Sequence, residues 1–204
     1  MKYFTFDRWT DILQQLGRQG GRILTQQTLS LASGLREEAI RKALRRLEIK
    51  GYVRRLGKML YANSLFPPTL EEVAMILGHP CYVSFESGLA HHGLIAQMPL
   101  VLTCASTAQS GRRETPLGEI VFHRLQPSLF FGYAPADRIL YAEPEKAVLD
   151  FAYISLKTRG GLPMLDELAW GRLDHGRFDA WALHYPGTVR NSLSPWIAYR
   201  QHTT

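Results

Sequence analysis

Cysteine is scarce in this chain of 204 residues, which contains only Cys81 and Cys104. Two isolated cysteines exclude a disulfide framework and a cysteine-based metal site, because both need several cysteines at short spacings. No apolar run approaches the roughly 20 residues that cross a bilayer. The N-terminal stretch MKYFTFDRW also lacks the apolar segment of a signal peptide. We therefore expect a cytoplasmic protein that makes no membrane contact.

The sequence also lacks the motifs of common nucleotide-binding and hydrolytic enzymes. The stretch GRQGGR (17–22) has no Walker spacing and follows a predicted helix, and no G-x-S-x-G motif occurs. His91 and His92 are adjacent, so on a helix their side chains diverge by about 100° and cannot easily bind one metal ion. The alternative explanation is that this pair lies at a helix C-terminus, where imidazoles meet the negative end of the helix dipole. We predict no catalysis, no cofactor and no metal site.

Positive charge is concentrated in the first third of the chain. Residues 1–62 contain 13 Lys/Arg against 5 Asp/Glu, whereas residues 63–204 contain 11 against 13. The net charge of +6 therefore comes entirely from the N-terminal part. This asymmetry predicts an N-terminal nucleic-acid-binding module followed by a nearly neutral domain with another task.

A basic helix and a basic hairpin are predicted within residues 35–62, LREEAIRKALRRLEIKGYVRRLGKMLYA. At 100° per residue, one helix face is apolar and the opposite face is cationic. Gly51 is predicted to end the helix, and two short strands follow with a turn at Gly57-Lys58. The cations of this pattern are Arg41, Lys42 and Arg45 on the helix and Arg54, Arg55 and Lys58 on the hairpin.

This order is typical of a winged helix-turn-helix, whose helix enters the major groove of DNA while the wing reaches the backbone or the minor groove. The alternative is a solvated helix face held by pairs such as Glu38–Lys42, each contributing about 0.2 to 0.5 kcal/mol. That alternative explains Lys42 but leaves most of the other cations unexplained. We therefore favour DNA binding.

Elements before this helix complete the winged-helix order. Asp7 is predicted to cap a first helix, Ile23-Leu24 to form a strand that pairs with the wing, and Thr25 to cap a second helix. The predicted domains are a winged helix-turn-helix at 1–62, a linker at 63–68 (NSLFPP) and a second domain at 69–204. Paired prolines make the linker unsuitable for helix or sheet.

The second domain is predicted to be α+β, with a small sheet covered by helices. Thr69 and Glu72 fit a capping box, Ser84 is predicted to cap a helix, and Pro144 stands where another helix begins. Strands are predicted at 99–105, 119–125, 129–131 and 139–141, a polar loop at 106–118, and further helices near 164–170 and 178–184.

The acidic stretch AEPEKAVLD (142–150) allows two interpretations. Glu143, Glu145, Lys146 and Asp150 resemble the acid-x-Lys clusters of some metal-dependent nucleases, although two-metal chemistry needs a further carboxylate across the site. The favoured interpretation is structural. The acids would open a helix, and Lys146 with Asp150 would form a surface pair four residues apart.

Three runs of the second domain resemble those of AbiEi-family antitoxins, the regulator component of AbiE-type (type IV) toxin-antitoxin systems of phage defence. The runs are YVSFESGLAHHGLI (82–95), GEIVFHRLQPSLFFGY (118–133) and YAEPEKAVLDFAYI (141–154). The resemblance implies a repressor of its own operon that binds double-stranded promoter DNA, with inverted repeats as the expected operator. Its second domain would counter a nucleotidyltransferase-type toxin encoded nearby.

The same resemblance places DNA binding on seven cations. They are Arg36, Arg41, Lys42, Arg45, Arg54, Arg55 and Lys58. Two alternatives stay open: a solitary winged-helix regulator whose second domain senses a ligand, and a metal-dependent nuclease. The oligomeric state also stays open, because an inverted repeat can be read by a dimer or by two monomers side by side.

Overall fold

A computed structural model of the chain describes residues 4–163 and 165–199, and it is a mixed α+β structure. The chain divides into two compact units. The first ends at Val73 and includes Thr115–Leu117, and the second comprises Ala74–Glu114 and the chain from Gly118 onward. The division after Val73 falls inside a helix, and residues 63–68 belong to the first unit.

The first unit combines three helices with a three-stranded antiparallel sheet of strand order β1-β3-β2. Pairing of Ile23 with Ala62 confirms the strand predicted at Ile23-Leu24. In chain order the elements are α1 (Phe6–Arg18), β1 (Ile23–Thr25), α2 (Gln26–Ser33), α3 (Glu37–Ile49), β2 (Val53–Gly57) and β3 (Leu60–Asn63).

Local capping signals gave one correct and one wrong helix start in this unit. Thr25 caps α2 as predicted, because its hydroxyl accepts from the Thr28 N–H at 3.1 Å and Thr28 Oγ1 accepts from the Thr25 N–H at 2.9 Å. Asp7 is not the cap of α1, which begins at Phe6 with Thr5 in the cap position. Asp7 lies in the first turn, where a carboxylate favourably meets the positive end of the helix dipole.

The hairpin of the first unit turns one residue later than the sequence suggested. β2 includes Gly57, so Lys58 and Met59 form the turn, and Met59 has a left-handed φ of 57°. The pairing between Arg55 and Gly57 is irregular, with Leu56 as the extra residue of a bulge. A bulge bends and twists a strand locally, and this one lies in β2 directly before the turn of the hairpin.

The second unit is built on a six-stranded mixed sheet of order β6-β7-β5-β4-β9-β8. β4 pairs antiparallel with β5 and parallel with β9, while β5 and β7 are parallel. The elements from Leu70 onward are α4 (Leu70–Leu77), β4 (Cys81–Val83), α5 (Phe85–His91), β5 (Leu102–Ser106), β6 (Gly111–Thr115), β7 (Gly118–Arg124), β8 (Tyr133–Ala136), β9 (Ile139–Ala142), α6 (Pro144–Arg159), α7 (His175–Ala182) and α8 (Gly187–Tyr199).

Three predictions for this part of the chain were wrong. The polar stretch 106–118 contains edge strand β6, whose residues are nearly all exposed and so show no apolar alternation. Residues 129–131 form no strand, since Leu129 ends a 3₁₀ turn that Pro127 opens and residues 130–131 have no regular secondary structure. Of the helix predicted near 164–170, residue 164 lies outside the described residues, and the rest forms short 3₁₀ turns, Leu165–Glu167 and Trp170–Arg172.

Other signals in the second unit behaved as expected. Thr69 and Glu72 form the predicted capping box, with the Thr69 N–H donating to Glu72 Oε2 at 2.9 Å and the Glu72 N–H donating to Thr69 Oγ1 at 3.2 Å. α6 begins at Pro144, and most of its first half is buried on all sides in the core of the unit. Within 4–163 and 165–199, no helix is both long and apolar enough to cross a membrane.

Asn63 supplies a test of how the first unit is held together. Its side chain is fully buried, and Nδ2 donates to the Leu13 carbonyl of α1 at 2.8 Å while Oδ1 accepts from the Leu65 N–H at 3.1 Å. Asn63→Ala leaves these groups without a partner, so we expect unfolding free energy to fall by about 1 to 3 kcal/mol. Urea denaturation followed by circular dichroism measures the change.

Asn191→Ala is the matched control, because Asn191 is exposed on α8. We expect it to change stability by less than about 0.5 kcal/mol. Equal effects of the two substitutions would show that the buried amide does not hold β3 against α1.

Candidate nucleic-acid interface

Helix α3 is fixed by its apolar stripe and by the turn that precedes it. Ile40, Leu44 and Leu47 are at most 1% exposed in the core of the first unit. The turn from α2 to α3 passes through Gly34 with φ 69°, a left-handed conformation that glycine adopts without strain. Ser30 of α2 donates to the Leu35 carbonyl at 2.6 Å and ties this turn down. The polar side of α3 is therefore held facing solvent.

A concave surface lies between α3 and the β2-β3 hairpin, and we call it the basic cleft. Arg41 and Arg45 of α3 line it together with Arg55 of β2. Arg55 is paired across the hairpin with Tyr61, which lines the same cleft. The remaining lining residues are Gln26, Glu37, Glu48 and Met59. Three of the seven predicted cations thus come together on one surface.

The other four predicted cations lie elsewhere on the first unit. Arg54 and Lys58 are exposed on the hairpin and do not line the basic cleft. Arg36 occupies the cap position of α3, and Lys42 forms a 3.4 Å ion pair with Glu38. Both line a second concavity, formed by α1 and another side of α3.

Sequence reasoning missed Gln26 and Tyr61 as members of the basic cleft. Gln26 is the first residue of α2, and the only signal for its place was the cap at Thr25. Tyr61 was assigned to a strand, but its side of the hairpin depends on the register of β2 with β3. A slip of one residue would reverse that side, so the sequence alone could not place it.

The second unit contains a buried polar network centred on Asp150. Both Lys146 and Asp150 are fully buried and form an ion pair four residues apart on α6. Asp150 Oδ2 accepts from Tyr82 at 2.9 Å and from Ser84 at 2.8 Å, while Oδ1 accepts from Tyr185 at 2.6 Å. Lys146 also donates to the Tyr185 hydroxyl at 2.6 Å. The prediction of a surface pair is therefore wrong in its burial, although its helical spacing is correct.

Burial shifts the pKa values of Lys146, Tyr82 and Tyr185 in this network. Desolvation lowers the pKa of Lys146 against the opposing attraction of Asp150. Desolvation, together with the nearby Asp150 carboxylate, raises the pKa of Tyr82 and of Tyr185 above the ordinary range. Both hydroxyls therefore stay protonated and continue to donate to Asp150. Ser84 occupies the N-cap position of α5, as predicted. Its side chain does not cap the helix, however, because the hydroxyl donates to Asp150.

The residues of the nuclease alternative make internal contacts. Glu143 pairs with Arg177 at 2.5 Å, and Glu145 Oε1 accepts from the Asp174 N–H at 2.7 Å. Lys146 is enclosed in the buried network. Among the described residues, no group of three His, Cys, Asp or Glu side chains is placed to hold a metal ion.

The histidines also have structural surroundings. His91 stacks on Tyr141 with ring centroids 3.8 Å apart, and His92 Nε2 lies 2.7 Å from the Ala142 carbonyl. Both lie at the C-terminal end of α5, as the alternative interpretation of this pair expected. His123 lies on β7, and burial lowers its pKa.

Comparison with known proteins supports the fold but identifies no family. No family model matches the chain, and no curated protein matches it significantly. A crystal structure of the Rv2827c protein from Mycobacterium tuberculosis is similar, with a TM-score of 0.56 and 15% sequence identity over 88% of this chain and 72% of that one. At this identity the likeness concerns the fold alone. The AbiEi resemblance stays a prediction.

The buried network yields a prediction about stability. Asp150→Asn leaves the Lys146 ammonium without a buried counter-charge, so we expect unfolding free energy to fall by about 3 to 5 kcal/mol. Lys146→Met should cost less, because Asp150 keeps three hydroxyl donors. Chemical denaturation of both variants measures the difference.

Lys42→Met is the matched control for Lys146→Met. It breaks a pair of the same helical spacing whose side chains are 70% and 74% exposed. An exposed pair of this kind contributes only about 0.3 to 0.5 kcal/mol. If Lys146→Met proved as mild as Lys42→Met, the network would not stabilise the second unit.

Proposed function

We propose that the first unit is a winged helix-turn-helix that binds double-stranded DNA, and that the chain represses the promoter of its own operon. In this proposal α3 enters the major groove and the β2-β3 hairpin is the wing. The observation that carries it is the basic cleft, where Arg41 and Arg45 of the helix meet Arg55 of the hairpin.

The geometry of α3 supports the proposed docking. A major groove about 12 Å wide admits one helix whose exposed side chains reach base edges. α3 has 13 residues, and its buried stripe leaves Arg41 and Arg45 exposed. Arg54 and Lys58 extend the positive charge along the hairpin, where a wing would meet phosphates. Phosphate contacts of this kind fix the register of a protein on DNA.

The two carboxylates of the basic cleft favour base reading over simple attraction to phosphate. Glu37 and Glu48 line the cleft beside the arginines. A surface that only held the DNA backbone would gain nothing from carboxylates, because they repel phosphates. In the major groove, however, a carboxylate accepts from the cytosine amino group while an arginine donates to guanine. We therefore expect a sequence-specific operator containing G·C pairs.

Substitutions in the cleft and on the hairpin should have different effects on DNA binding. Arg41→Ala or Arg45→Ala should cost about 1 to 3 kcal/mol and relax the preference for the operator over scrambled DNA. Arg54→Ala should weaken binding to all sequences alike and reduce the salt slope by about one. Fluorescence anisotropy with promoter and scrambled duplexes, at several salt concentrations, measures both quantities.

Arg190→Ala is the control, because it removes an exposed arginine from α8 of the second unit. It should leave operator binding unchanged. The proposal fails if the folded chain does not bind its promoter at low salt, or if Arg190→Ala weakens binding as much as Arg41→Ala.

The proposal extends to an antitoxin role for the second unit. The support is the resemblance of its three runs to AbiEi-family antitoxins, which implies a nucleotidyltransferase-type toxin encoded nearby. The runs 82–95 and 141–154 contribute Tyr82, Ser84, Lys146 and Asp150 to the buried network. The resemblance therefore covers residues that build the interior of the unit, and it identifies no toxin-contacting residue.

Co-expression tests the antitoxin role separately from repression. The neighbouring gene should arrest growth when induced alone, and this chain, expressed from an unrelated promoter, should restore growth. The double variant Arg41→Ala/Arg45→Ala should still restore growth, because it removes DNA contacts and leaves the second unit intact. A harmless neighbour, or toxicity that the chain does not relieve, would leave a regulator without an antitoxin role.

A further inference from the structure

The second concavity of the first unit differs from the basic cleft in its chemistry, and we call it the α1–α3 groove. It has a volume of about 340 Å³, which lies within the range of small-molecule sites. Apolar side chains form its floor and cations form its rim. The floor includes Phe4, Phe6 and Trp9, and the rim includes Arg36, Lys42 and Arg46.

The aromatic floor of the groove is held in place by contacts within the first unit. Phe4 packs on Trp9 with ring centroids 5.3 Å apart, and Phe6 packs on Tyr52 at 6.0 Å. The Lys50 ammonium lies 3.6 Å from the Phe6 ring centroid. On the α3 side, Ala39 and Ala43 are small and half-buried. Small side chains opposite fixed rings leave room for an apolar ligand.

The rim of the groove is positive. Arg36, Lys42 and Arg46 are all exposed there. Lys42 is paired with the exposed Glu38, but neither Arg36 nor Arg46 forms an ion pair with another described residue. Trp9, Leu47 and the other floor residues carry no negative charge to balance these cations. A bound molecule would therefore gain from one apolar part and one anionic group.

We infer that the α1–α3 groove binds a small amphipathic carboxylate, with its chain or ring on the Phe4, Phe6 and Trp9 floor and its carboxylate at the Arg36, Lys42 and Arg46 rim. Burial of the apolar part drives binding, at about 25 cal/mol per Å² removed from water. The rim adds charge-assisted hydrogen bonds that a neutral or cationic molecule of the same shape would lack.

This site also regulates DNA binding, a step that rests on the proposed function. Arg36 and Lys42 belong to the seven cations assigned to DNA, and both lie on the rim. A carboxylate bound there neutralises charge that would otherwise meet phosphates. The ligand therefore weakens DNA binding, and DNA weakens ligand binding by the same factor.

Isothermal titration of the full chain with decanoate, in the absence of DNA, tests the site itself. We expect one decanoate per chain with a dissociation constant below about 1 mM, and at least about tenfold weaker binding of decyltrimethylammonium. Ala39→Leu, which fills the floor, should abolish binding, and Ala43→Leu serves if that variant does not fold. Arg46→Gln should weaken binding about fivefold.

Arg18→Gln is the charge control, because Arg18 is exposed on α1 and does not line the groove. It should leave decanoate affinity unchanged. The inference is wrong if decanoate does not bind, if both surfactants bind equally, or if neither floor variant changes the affinity. It is also wrong if Ala39→Leu turns a dimer into monomers and decanoate does not bind, because the groove then holds a second copy of the chain.

A second titration separates regulation from the DNA-binding proposal. Decanoate at saturation should weaken promoter binding by the wild-type chain about fivefold or more, and should have no effect on Ala39→Leu, which keeps every proposed DNA contact. If the chain binds decanoate but never binds DNA, the proposed function fails and the ligand site stands. If it binds both without mutual effect, the regulatory step fails.

Discussion

The burial of one stripe of α3 is the constraint on which the first unit depends. Ile40, Leu44 and Leu47 are almost completely withdrawn from water, and each contributes roughly 1.5 to 3 kcal/mol by its burial. Because successive residues on a helix differ by 100°, fixing these three fixes the direction of every other side chain of α3. Arg41 and Arg45 then face the hairpin, while Lys42 and Arg46 face α1. The burial of this one stripe therefore divides the cations of α3 between the basic cleft and the α1–α3 groove.

Most features that depend on local signals were predicted from the sequence, although Asp7 was wrongly expected to cap α1. The cap at Thr25, the capping box at Thr69 and the helix start at Pro144 each involve residues within one turn, so neighbouring side chains decide them. Predictions that depend on partners distant in the chain were less accurate. Lys146 and Asp150 have the same spacing as Glu38 and Lys42, yet one pair is fully buried and the other exposed. The buried pair is enclosed by contacts with Tyr82, Ser84 and Tyr185, which are distant in the chain, so no local pattern contains them. Edge strand β6 was missed because a strand exposed on both faces has no reason to alternate.

The buried network couples parts of the second unit that are distant in the chain. Asp150 accepts hydrogen bonds from Tyr82 and Ser84, which lie more than 60 residues away in the chain. Each donor is useful only if the carboxylate is present, and an unpaired buried charge is costly. A substitution of one member therefore leaves the other members without their partner. These residues therefore determine the packing of the interior of the unit. Recognition of a partner must instead depend on exposed side chains, which this coupling does not constrain.

The two surfaces of α3 also limit how strongly a ligand in the α1–α3 groove can act on DNA binding. Only Arg36 and Lys42 of the seven proposed contacts lie on its rim, and the basic cleft is separate from it. Each phosphate contact contributes about 0.9 to the salt slope of DNA binding, so one bound anion can reduce that slope by at most about two. The base contacts proposed for Arg41 and Arg45 would persist. Under this proposal, a ligand in the groove would lower the affinity for all DNA sequences and leave the preference for the proposed operator unchanged.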